Sequence, residues 1–305
     1  MSGDKKRSIY IDCDPGLDDA VAIALAAAAG ELDIAAVTTT AGNSTIDRVT
    51  DNALSLCATL GLKTPVYAGA DRPLRGKPHF ATDLWGGDGT LGLKRPRRGA
   101  VSEPAIDFLL RALKEAEDRS VLMCCLAPLT NLASVFLREP RLVGKIDRLM
   151  VMGGALGKGN ATTAAEFNIW FDPHAAKRVF DTEFPTVVVP YDLTRTVTVK
   201  KPQIRRLAKS ANAKPRLAAR MLAMAGKDGH PAAVHDAVVI GCLLWPDLFS
   251  FERGRITVGV EDGPARGQTR FKQGEGHHIV LTSVQHDKLL EKMVGKLLGK
   301  AERRK

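Results

Sequence analysis

From Ile9 to Val189 the chain alternates short apolar runs with longer helical patterns, and no other feature limits its possible folds so strongly. Ile9-Tyr10-Ile11, Ile34 to Thr39, Pro65-Val66-Tyr67, 120 to 125, Leu149 to Met152 and Thr186 to Val189 read as strands. Helices are expected over about Asp18 to Ala29, Thr45 to Leu60, 104 to 117 and Thr130 to Leu137, and from Asp172-Pro173 onward. Gly30 and Gly61 suit positions just past a helix end, while Asp172-Pro173 joins a capping acid to a residue that fits the first helical turn. This alternation predicts an α/β chain with a mainly parallel sheet and helices on both faces. The C-terminal third reads as more helical, with Val258-Gly259-Val260 and Ile279-Val280-Leu281 as an added hairpin. Residues 71–102, rich in Gly, Pro and Arg, read as a long irregular segment, and such segments are often functional. No composition break divides the chain, so one domain over 1–305 is expected, with a disordered basic tail at 300–305.

Composition narrows the class. Apolar residues make up 45% of the 305, enough for a sizeable core. The longest unbroken apolar run, Ala20 to Ala29, has ten residues, short of the roughly 20 that cross a bilayer. The basic start, Met1 to Arg7, is not followed by an apolar signal core, so a cytoplasmic protein with no membrane partner is expected. The five cysteines include no CxxC pair and read as buried free thiols. Net charge is +10, and the span Arg195 to Lys227 holds ten Lys or Arg and no acid. Without aromatic interleaving or a nucleic-acid motif, that span reads as solvated helix faces, and nucleic acid is not the expected partner.

The first strand runs into Asp12-Cys13-Asp14-Pro15-Gly16-Leu17-Asp18-Asp19, four carboxylates within eight residues. Ligands of open α/β sheets bind outside the carboxyl ends of the strands, where this loop falls. Acids this close repel one another unless a cation sits among them, and hard oxygen donors suit calcium or magnesium. Pro15-Gly16 supplies a turn that folds the acids back around an ion. A strand-end turn with one or two capping aspartates is the plainer alternative, although a cap needs one acid rather than four. An Asp-x-Asp phosphohydrolase also places carboxylates and a divalent ion after its first strand. His235-Asp236 begins a second candidate element, ahead of the apolar helix Ala237 to Leu244. Asn160 and Glu166-Phe167-Asn168 form a hydrogen-bonding cluster suited to a polyol and equally compatible with ordinary loop chemistry, while a lone His such as His235 is more often structural or solvent-exposed.

Taken together, these segments resemble the inosine-uridine preferring nucleoside hydrolase family. The acidic loop matches its signature, and further matches follow in order: Thr40-Ala41-Gly42-Asn43, Pro128-Leu129-Thr130-Asn131, Met152-Gly153-Gly154, Asn160, Ala165 to Asn168, Asp172-Pro173 and Val234-His235-Asp236. The acidic loop and the 152–173 stretch are the most specific. The resemblance covers most of the chain and implies a Rossmann-like nucleoside hydrolase fold.

It also implies calcium-dependent hydrolysis of the N-glycosidic bond of ribonucleosides, giving ribose and free base in purine or pyrimidine salvage. By motif position, Asp14, Asp19 and Asp236 and the Leu126 carbonyl would hold Ca2+. A water activated at the ion would attack the anomeric carbon, with Asp14 taking its proton. Asp18, Asn160, Glu166 and Asn168 would hold ribose hydroxyls, with Asn43, Met152 and Phe167 close by and Asp12 supporting the loop from behind. His235 is the implied donor to the leaving base. The partner is then a small nucleoside, and a homodimer or homotetramer is expected. The chain departs from the family pattern at Asp88 in Asp88-Gly89-Thr90-Leu91-Gly92-Leu93 and at Arg195 after Asp192-Leu193-Thr194, both places where relatives often carry His; Leu126 stands where Thr is common. The first two departures bear on the nucleobase end. A non-catalytic nucleoside or ribose binder on the same scaffold is the rival from another class, although a pure binder would not need the proposed base.

Overall fold

The expected strands pair in parallel: β1 (Arg7–Cys13), β2 (Leu32–Thr39), β3 (Val66–Ala68), β4 (Val121–Cys125), β5 (Ile146–Met152) and β6 (Thr186–Val189). This is a computed structural model that describes residues 6–82, 87, 89–94, 96, 99–227 and 232–299. Across the sheet these strands run β3-β2-β1-β4-β5-β6, so the direction of winding reverses between β1 and β4. Asp88 and the tail 300–305 lie outside the described residues.

Helices cover both faces. Ile9, Ile11 and Cys13 of β1 point into one core with α1 (Leu17–Ala28) and α2 (Ile46–Leu60). Tyr10, their alternate neighbour, packs into the other with α3 (Ala105–Glu115) and α4 (Thr130–Arg138). Both faces being buried explains the nearly continuous apolar strands, such as the fully buried Val-Leu-Met-Cys-Cys of β4. All five cysteines are buried and free, as expected of apolar packing. Gly61 ends α2 with φ of 69°, a conformation that favours glycine. Gly30 plays no such part: α1 ends at Ala28, and Ala29 is extended. After the short α5 (Phe167–Phe171), Asp172 caps α6 (Pro173–Phe180) by accepting the Ala175 N–H at 3.0 Å, with Pro173 in the first turn.

The short α7 (Tyr191–Thr194) precedes the more helical C-terminal part, which holds α8 (Lys201–Ala208), α9 (Ala213–Ala225), α10 (His235–Leu244) and α11 (His286–Leu297). A separate two-stranded ribbon joins β7 (Thr198–Val199) to β8 (Ala232–Ala233). The expected hairpin is larger than its sequence suggested. β9 (Phe249–Val258), β10 (Thr269–Gln273) and β11 (His278–Val284) extend the main sheet, β11 pairing in parallel with β6 and β9 running antiparallel between β11 and β10. β9 ends at Val258, so Val260 lies outside it. Glu252, Arg253 and Arg255 on this largely exposed strand obscure its apolar pattern. The basic span 195–227 is only partly a solvated face: Leu217, Met221 and Leu222 of α9 are buried in the core, and Lys214 and Arg220 donate to the carbonyls of Ala27 and Gly92. Among the described residues, no helix is long and apolar enough to cross a membrane.

Candidate active site

The loops that leave β1 and β4 at the reversal frame a cavity of about 430 Å³. Asp14, Asp18, Asn43, Leu126, Met152, Asn160, Glu166, Phe167, Asn168, His235 and Asp236 all line it. Asp19 sits behind this wall, fully buried in the first turn of α1. The metal, ribose and acid candidates therefore meet in one place, although they come from the ends of β1, β2, β4 and β5 and from α1, α5 and α10.

Carboxylates dominate one side. Oxygens of Asp18, Asp19 and Asp236 lie within 4.8 Å of one another. Asp14 is beside them, its Oδ2 accepting the Asn43 N–H at 2.6 Å. The converging trio thus contains Asp18, where motif position pointed to Asp14. Asp19 Oδ2 accepts the Gly16 N–H at 2.9 Å, but its Oδ1 is buried with no donor among the described residues. No lysine or arginine is among the cavity-lining residues described. Burial, and then the neighbouring acids, push Asp14 and Asp236 well above the usual carboxylate range. Burial and Asp18 lift Asp19 to about 7. An acid cluster so disposed, with an orphaned oxygen and only hard donors, fits a divalent cation of the calcium or magnesium type.

The support beneath the acids is closely fitted. Asp12, fully buried, accepts from Thr38 Oγ1 and from Asn131 Nδ2, the latter at 2.8 Å. Asn131 also donates to the Thr39 carbonyl at 2.9 Å and accepts the Ala70 N–H at 2.9 Å, so one amide ties β1, β2 and the loop after β3 together. Gly42 is required by proximity: a Cβ there would stand 2.2 Å from Asp14 Oδ2 and 2.9 Å from Pro128. The Leu126 N–H donates to the Asp12 carbonyl at 2.8 Å, which fixes the Leu126 backbone beside β1, and Leu126 lines the cavity.

Glu166 is an N-cap as well as a wall residue. Its carboxylate accepts from Asn168 N–H at 2.9 Å, Gly154 N–H at 3.0 Å and Ile169 N–H at 3.3 Å. Burial still outweighs these donors and raises it to about 7. Asn168 Nδ2 donates to the carbonyls of Leu126 at 2.9 Å and Met152 at 3.2 Å. Asn160 Oδ1 accepts the Phe167 N–H at 2.9 Å. His235 Nδ1 meets Thr194 Oγ1 at 2.8 Å, and burial lowers its pKa while Asp18 opposes the shift.

The apolar part of the lining was not foreseen. Leu17, Val21, Tyr191, Met221, Leu222, Ala225 and Ala233 complete the lining, so Met221 and Leu222 of α9 belong to the core and also border the cavity. Periodicity marks such residues as buried but does not distinguish a cavity wall from packing. Arg195, expected to bear on the nucleobase end, is exposed at the end of α7 and is not part of the wall. Its neighbour Asp192 instead holds the Leu156 and Gly157 N–H groups at 2.6 and 3.0 Å.

The profile of the family described as inosine-uridine preferring nucleoside hydrolase matches residues 9–291. The pyrimidine-specific ribonucleoside hydrolase RihB of Escherichia coli O9:H4 (strain HS) is 34% identical over 275 residues, 87% of this chain and 87% of that protein. Among solved structures, the plant nucleoside hydrolase PpNRh1 aligns with a TM-score of 0.87 at 27% identity, over 96% of this chain and 99% of that one. A purine-preferring ribonucleoside hydrolase from Gardnerella vaginalis aligns over 96% and 99% with a TM-score of 0.85 at 24% identity, a likeness of fold.

Proposed function

Because the chain belongs to the inosine-uridine preferring nucleoside hydrolase family and is a hydrolase acting on N-glycosyl compounds, we propose that the 430 Å³ cavity cleaves ribonucleosides to ribose and free base with calcium as cofactor. The observation that carries this reading is the convergence of Asp18, Asp19 and Asp236 within 4.8 Å on a wall where no lysine or arginine is described. Asp14, Asp19 and Asp236, with the Leu126 carbonyl, would hold the ion, and the close approach of Asp18 puts it in reach of the same ion or of a hydroxyl beside it. A bound calcium ion would offset the carboxylate repulsion and lower the pKa of a water.

The remaining chemistry belongs to the side chains. Asp14, its carboxylate fixed by the Asn43 N–H at 2.6 Å, takes the proton of the attacking water. Asp18, Asn160, Glu166 and Asn168 hold ribose hydroxyls, and Asn43, Met152 and Phe167 border the sugar. As the glycosidic bond lengthens, the ring acquires positive charge, which the surrounding carboxylates and amide oxygens stabilise. His235, held through Nδ1 by Thr194, supplies a proton to the departing base.

Incubation with inosine, adenosine, uridine and cytidine, with chromatographic detection of free base and parallel metal analysis, tests this reading. Base release that tracks bound calcium supports it. No base from any nucleoside, or full turnover with no metal detected, rejects it.

A further inference from the structure

The apolar side of the cavity carries an aromatic ring that no motif singled out. Tyr191 begins α7, is partly exposed, and its ring lies 5.5 Å from that of His235 with 30° between the planes. Several bonds fasten this single turn. The Tyr191 N–H donates to the Gly154 carbonyl at 2.8 Å, and Asp192 accepts the two N–H groups of Leu156 and Gly157. Thr194, three residues after Tyr191, holds His235 Nδ1 at 2.8 Å. One helical turn thus presents the tyrosine ring and orients the imidazole beside it. Met221, Leu222 and Ala225 of α9 add an apolar surface to the same cavity.

The two kinds of side chain in the lining suit different chemistry. Carboxylates and amides suit hydroxyls. A tyrosine ring beside an imidazole, with aliphatic neighbours, suits a flat heteroaromatic ring, which gains from stacking and from leaving water.

Given an N-riboside in this cavity, we propose that Tyr191 selects for the aglycone: its ring, beside His235, is the face against which the planar base stacks. Every base has a π-face, so Tyr191 favours aromatic aglycones as a class and does not choose between purine and pyrimidine. The ribose hydroxyls would be held by the carboxylates and amides, so affinity for the free sugar should not depend on this ring.

The test compares wild type, Tyr191→Ala and Tyr191→Phe by steady-state kinetics with inosine and uridine, and by competitive inhibition with ribose. Tyr191→Ala raises KM about 10-fold or more for both nucleosides, the scale of losing one stacked ring. Tyr191→Phe returns KM to near the wild-type value, and ribose inhibits all three proteins alike. An unchanged KM in Tyr191→Ala overturns the assignment. So does ribose inhibition that weakens in step with KM, because the cavity as a whole would then have shifted. If wild type releases no base, the hydrolytic reading fails separately, and calorimetric titration with inosine and with ribose decides Tyr191 by the same pattern.

Discussion

The carboxylate side and the apolar side of the cavity are held by different means. Asp12, Asp14, Asp19, Glu166 and Asn168 are buried and cross-bonded, and Gly42 is pressed so close that a methyl group would meet Asp14 Oδ2 at 2.2 Å. The apolar side is the inward stripe of α9 together with one short turn, α7. The first cannot change without unpairing a buried polar group, while the second can exchange side chains at the modest cost of repacking. Activity should therefore depend steeply on the first and the choice of aglycone on the second.

The largest expected effect comes from removing the cation. Thorough chelation should bring base release to the detection limit, and calcium should restore it; activity that survives with no metal detected would separate the acid cluster from the chemistry. Next, Asp14→Asn should lower kcat by at least about 100-fold, the scale of losing a general base, with an unchanged far-UV circular dichroism spectrum. Near-normal turnover would remove Asp14 from that role. Gly42→Ala should cost roughly 10- to 100-fold in kcat/KM by displacing the Asp14 carboxylate without removing it. A variant of full activity would mean that the loop yields more easily than its contacts suggest.

The smallest effect is on stability. Burial raises Glu166 from 4.5 to about 7, so the folded protein binds a proton more tightly than the unfolded chain does. That contribution is complete below the unfolded pKa and is lost as pH rises through about 7. In metal-free protein, stability should therefore fall from about pH 4.5 to above pH 7, and Glu166→Gln should flatten the fall by on the order of 1–3 kcal/mol. Denaturant melts of both proteins across this range measure the difference; parallel curves would show that the three N–H donors already offset the burial.

The same contrast governs what was legible in the chain. Each residue of the carboxylate side sits in a short motif, because the loop after one strand delivers neighbours in sequence to one point in space. The parallel sheet from β1 to β6 was legible for a related reason: apolar strands buried on both faces stand out against amphipathic helices. Met221, Leu222 and Ala225 were not, since the pattern that places a residue inside is the same for a cavity wall as for a core. β9 was hidden by the charges on its exposed face, and Tyr191 by being a lone aromatic ahead of an ordinary turn.

The acidic loop, the strand that carries it and the crowding of four carboxylates are legible in the chain alone. The sequence also placed Glu166-Phe167-Asn168 and His235-Asp236 in one site with that loop through their resemblance to one family. Packing settled that Asp18 joins Asp19 and Asp236 in the converging trio, and that Thr38 and Asn131 are the partners of Asp12 in its expected supporting place. It alone placed Tyr191 and α9 in the lining of the same cavity. The reason is physical: local order along a strand and turn follows from the residues themselves, whereas which side chains from distant elements share a cavity depends on how sheet and helices pack.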